Sequence, residues 1–112
     1  MPYVLSNRPT FTWPVKVVEP GNAPDGAVVE SVFVGEFVRK DGDELEALFK
    51  ENKPVRVVLK DLLVGWNGLR DESGAELSFD EQYRDALLKI PHAVVGIWTA
   101  YLEGAGGATR KN

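Results

Sequence analysis

Residue types able to do covalent or acid-base chemistry are scarce in this sequence. His92 is the one imidazole and cysteine is absent from all 112 residues. Disulfides, thiolate zinc sites, iron-sulfur clusters, cysteine nucleophiles and redox chemistry on protein sulfur are thereby excluded together. Any triad or transition-metal site has at most one imidazole to draw on. His92 follows Pro91 in the first turn of an expected helix, where the helix dipole disfavours positive charge, and no serine near it in sequence forms a nucleophile pair. It reads as a surface or boundary histidine. Asp41-Gly42-Asp43 has the opening of a calcium loop without the twelve-residue spacing and closing bidentate Glu, so it reads as a helix cap. Asp71-Glu72-Ser73-Gly74 lacks ligand spacing too and reads as a turn. Gly35, Gly65, Gly68 and Gly74 fit neither a phosphate loop nor a dinucleotide fingerprint. Carboxylates are plentiful, but nothing singles out a catalytic pair. The expectation is a protein without catalytic residues, metal or cofactor.

Large aromatic rings are the other functional candidates, because they dominate both cores and interaction hot spots. Trp13, Phe37, Trp66, Trp98 and Tyr101 are the expected partner-binding residues. Trp13, beside Pro14, is the one most readily placed at an interface.

The elements that position these residues follow from periodicity. Phe11, Trp13, Val15 and Val17 alternate with Thr10, Thr12 and Lys16, the period of a half-buried strand over residues 10–19. Pro14 argues for an edge position or a bulge. Residues 20–26 are turn chemistry, and residues 27–40 resume with valines and phenylalanines on both faces. The result is a long hairpin whose one face meets the helices and whose other face is free for another chain. Asp41 and Glu44 are spaced as a capping box opening a first helix that runs to about Asn52. Pro54 starts a second helix carrying Val55, Val58, Leu59, Leu62, Leu63 and Trp66, with a strand the alternative for its β-branched opening at 55–58. A structured connection follows, punctuated by Gly65, Asn67-Gly68 and Ser73-Gly74. Ser78 and Glu81 form a second possible capping box for a third helix with Tyr83, Ala86, Leu87 and Ile90 on one face. Pro91 opens a fourth, with Val94, Ile97, Trp98, Tyr101 and Leu102 as its stripe. The fold class is α+β, an N-terminal β-hairpin followed by about four helices in a single domain over residues 1–104, with a flexible Gly-rich basic tail at 105–112.

Charge adds to this. There are 13 Lys+Arg against 17 Asp+Glu, net −4, with pI near 5.0. That lacks the basic footprint of a nucleic-acid binder. Residues 1–40 are neutral, 41–85 carry −6 and 86–112 carry +2, a pattern that permits head-to-tail self-association. No stretch approaches the roughly 20 apolar residues of a membrane span, and the N-terminus does not read as a signal peptide, so a cytoplasmic protein is expected.

The order strand, turn, strand and acidic helix start leads into Val64-Gly65-Trp66-Asn67-Gly68-Leu69-Arg70-Asp71-Glu72-Ser73-Gly74-Ala75-Glu76-Leu77-Ser78-Phe79. A Pro-started last helix with Ala100-Tyr101 and a closing Lys111-Asn112 follow. From about Thr10 to Asn112 the chain resembles the tail assembly chaperones of long-tailed bacteriophages. The resemblance implies a non-enzymatic, self-associating protein of the host cytoplasm, absent from the mature virion, that coats the long, helical tape measure protein. It also implies a longer frameshifted form that recruits the tail tube protein, this chain being the short form. A small structural phage protein, of the tail or the head-tail junction, retained in the particle is the alternative.

Overall fold

A computed structural model describes Leu5 and residues 8–106. The architecture is α+β: a three-stranded antiparallel sheet with four helices, in the order β1 (Thr10–Pro20), β2 (Val28–Val38), α1 (Gly42–Lys50), α2 (Val55–Leu62), β3 (Leu63–Asn67), α3 (Glu81–Leu87) and α4 (Pro91–Ala105).

Strands β1 and β2 form the long hairpin, in continuous register from Thr10↔Val38 to Pro20↔Val28. The backbone N–H of Arg39 donates to Pro9 O at 2.9 Å and that of Gly21 to Ala27 O at 2.9 Å. Odd-numbered residues of β1 therefore bond inward to β2, while even-numbered ones turn their backbone groups to the outer edge. Pro14 and Pro20 are even, so neither removes a ladder bond, and β1 is the edge strand that Pro14 called for. In the turn, Asn22 (φ 66°) and Gly26 (φ 81°) take the left-handed region, and the Asp25 carboxylate accepts from Ala27 N at 2.9 Å.

The sheet has a third strand that the helical spacing hid. Helix α2 begins after Pro54 as expected but stops at Leu62, and Leu63–Asn67 pairs with Val34–Phe37 of β2 across a bulge at Glu36/Phe37. Trp66 thus lies on β3, and the second helix does not reach it. The sequence of β3 is poor helix material: Val64 is β-branched and Gly65 weakens a helix by about 1 kcal/mol. An open edge on β2 supplies the competing backbone partners. A Cβ at Gly65 would lie 2.7 Å from the Glu36 carboxylate, so a larger residue there would turn the Glu36 side chain aside.

The core gathers Val15, Val17, Phe33 and Phe37 from the hairpin, Val58, Leu59 and Leu62 from α2, Leu63, Leu88, and Ala93, Ile97, Ala100 and Tyr101 from α4. Two helix faces differ from expectation. On α3 the buried residue is Leu88 at its C-cap, whereas Tyr83 and Ile90 are about half exposed. The cap of α3 is Asp80, which accepts from Gln82 N and Tyr83 N, in place of Ser78. On α4 the buried stripe is mostly small, Ala93, Gly96, Ile97 and Ala100, and Leu102 points outward. Close approach to β1 is the reason. A Cβ at Gly96 would collide with Lys16 O, and one at Gly104 would sit 2.5 Å from the Phe11 ring. Gly104 and Ala105 therefore belong to the helix, and residues 107–112 of the expected tail lie outside the described residues.

Candidate functional site

The five aromatic candidates separate into core, clamp and surface. Phe37 and Tyr101 are wholly buried, packing with Phe11 at ring separations of 5.5 to 5.8 Å, so they hold β1, β2 and α4 together and face no partner in this state. Burial raises the Tyr101 hydroxyl above its ordinary pKa of 10.0, the neighbouring Glu44 carboxylate adds to this, and among the described residues the hydroxyl finds no hydrogen-bond partner.

Trp66 is a clamp. Its indole N–H donates to Leu77 O at 2.9 Å and its ring meets Phe79 edge-on at 4.7 Å, pinning residues 68–79 against β3. Within that segment Leu77 N bonds Leu69 O, and Asp71 Oδ1 accepts from the Ser73 hydroxyl and from Ser73 N and Ala75 N. The Ser73 hydroxyl first, then the Ala75 N–H, hold the Asp71 carboxyl below its ordinary 3.8. Gly68 (φ 83°) and Gly74 (φ 88°) supply the left-handed turns. The Gly-Trp, Gly-hydrophobic, Asp-x-x-Gly, Leu-x-Phe rhythm is thus accounted for by packing and turn chemistry within the chain.

Trp13 is half-buried on β1, and its indole N–H donates to Glu103 on α4 at 3.2 Å. Gly104 and Gly96 bring the same helix against Trp13 and the Lys16 carbonyl. Helix α4 therefore lies against the outer edge of β1 at the Lys16 carbonyl, and Pro14 and Pro20 remove donors from that edge, both of which disfavour strand addition. Trp98 is half-buried on α4, stacked on Tyr101 and meeting Phe49 of α1 edge-on at 6.1 Å.

Two apolar surfaces remain. Along α4, Val95, Trp98 and Leu102 stand at i, i+3 and i+7, and the row continues onto Phe49; Val95 is 66 % exposed, Phe49 51 % and Leu102 44 %. The second is the outer face of the hairpin, where Pro14, Lys16, Val18, Val32 and Val34 point away from the core, Val32 with 61 % of its surface exposed. From Val18 to Val32 every residue is exposed. A groove of about 620 Å³ runs between this face and the His92, Val95 and Thr99 flank of α4. The both-sided apolar pattern of residues 28–38 signalled the hairpin surface in the sequence; Val95 and Leu102 carried no separate signal, because α4 is apolar nearly all round. His92 is exposed in the first turn of α4. Among the described residues, no group of three or more His, Asp or Glu is placed to hold a metal ion, and no helix is long and apolar enough to cross a membrane.

Comparison with family models, with curated proteins and with solved structures gives no match to this chain.

Proposed function

We propose that this protein is a non-enzymatic assembly chaperone of a long-tailed phage, whose exposed apolar surfaces shield the helical tape measure protein until the tail tube forms. The observation that carries this reading is the row Val95, Trp98, Leu102 and Phe49. An i, i+3, i+7 row on a rigid helix suits docking of an amphipathic partner helix, whose own apolar stripe has the same period. Many such sites along one long partner give avidity from individually weak contacts, and weak contacts let each copy be displaced as tube subunits polymerise. The longer frameshifted form would bring those tube subunits in, and the protein would act in the host cytoplasm and leave no copy in the virion.

Coexpression tests the reading. Tape measure protein is expected to stay soluble with the wild-type chain and to precipitate with Val95→Asp/Leu102→Asp, a variant that alters only exposed side chains. Unchanged solubility with the wild-type chain overturns it. Peptides of this chain in purified virions, read by mass spectrometry, would point instead to a structural protein retained in the particle.

A further inference from the structure

The outer face of the hairpin carries a self-complementary pattern. In the strand register Lys16 lies opposite Val32 and Val18 opposite Glu30, so these four residues occupy the corners of one cell of the face. The valines stand on one diagonal and the charges on the other. Lys16 and Glu30 form a loose ion pair at 4.0 Å within the chain, with side chains 61 % and 56 % exposed, so both heads can exchange to another partner at little cost. A two-fold axis lying in the face along the valine diagonal sets Val18 on Val18 and Val32 on Val32 of a second copy. The same rotation sets each Lys16 over the other copy's Glu30. One operation satisfies the apolar and the charged residues together, which is the requirement of an isologous interface.

We propose that two copies of this chain pack through the outer hairpin face in this arrangement. The inference deepens the reading of copies arrayed on a partner and rests on it for its purpose, but its readout is self-association alone, so either can fail while the other stands. The competing mode is edge pairing. The β1 edge is obstructed by α4 at Lys16 and by Pro14 and Pro20, while among the described residues β2 is open from Val28 to Val32, because β3 pairs only with Val34–Phe37. Pairing β2 with its two-fold mate in the register of fullest overlap sets Glu30 directly against Glu30, and like charges so opposed are destabilising. Charge therefore favours the face over the edge.

Sedimentation equilibrium of the purified full chain tests this. A dimer is expected to grow in between about 10 µM and 1 mM, and Val32→Asp is expected to weaken it about tenfold or more, with circular dichroism confirming the fold. Lys16→Glu and Glu30→Lys are each expected to be monomeric alone and to form a one-to-one heterodimer when mixed, because mixing restores both intermolecular ion pairs while leaving each chain's internal pair broken. Glu30→Gln separates the two modes, weakening a face-packed dimer and strengthening an edge-paired one. A wild-type chain monomeric throughout this range, a dimer indifferent to Val32→Asp, a mixture that stays monomeric, or tightening by Glu30→Gln overturns the proposal.

Discussion

Tyr101 is the residue whose environment departs furthest from its chemistry. Its ring completes the Phe11 and Phe37 cluster while its hydroxyl is buried without an acceptor among the described residues. Removing a buried hydroxyl that lacks a partner relieves desolvation and leaves nothing unpaired, so Tyr101→Phe is expected to hold or raise stability by up to about 1 kcal/mol in urea unfolding. The raised pKa gives the alkaline sign. Below pH 10.0 both folded and unfolded states keep the proton and the contribution is fully present. As pH rises from there through the raised folded value, the unfolded state ionises first and stability falls. Tyr101→Phe is expected to flatten that alkaline limb. At the acid end the sign reverses for Asp71: its contribution is present above 3.8 and is lost as pH falls through the lowered folded value.

Among the elements, the caps and the contact of α4 with β1 were legible to different degrees. The capping box of Asp41 and Glu44 forms as its spacing requires, with Glu44 N to Asp41 Oδ1 at 2.8 Å and Asp41 N to Glu44 Oε1 at 2.9 Å. The same spacing at Ser78 and Glu81 misled, because Asp80 sits nearer the first turn and its carboxylate reaches two orphan N–H groups. Asp80→Ala is expected to lower stability by about 1 kcal/mol and Ser78→Ala to leave it unchanged, measured by thermal unfolding. Gly96 sets a contest of two magnitudes. Replacing a mid-helix glycine with alanine gains about 1 kcal/mol of propensity, but here the new methyl meets a strand carbonyl that cannot rotate away. Overpacking against backbone is worth about 1–3 kcal/mol, so Gly96→Ala is expected to destabilise on balance, with α4 displaced from β1.

For the molecule as a whole, the hairpin divides into a packed half and a projecting half. Hydrogen exchange of the monomer is expected to be slowest at Val15, Phe33 and Phe37, which are buried, and fast from Val18 to Val32, where every residue is exposed. Slow exchange in that arm at low concentration would contradict the division. By itself the sequence determined the α+β class, the long hairpin with Pro14 on an edge, the box that opens α1, the proline starts of α2 and α4, and the shortage of reactive side chains. Each of these follows from neighbours a few residues apart, which is the range over which periodicity, capping and turn chemistry act. Only the tertiary structure decided that Leu63–Asn67 is a strand, that Phe37 and Tyr101 are core while Val95 and Leu102 are surface, and that Trp13 spends its indole on Glu103. Those outcomes depend on which backbone edges and apolar faces meet across 26 to 90 residues of chain, and an apolar residue's type is the same whether it meets its own chain or another.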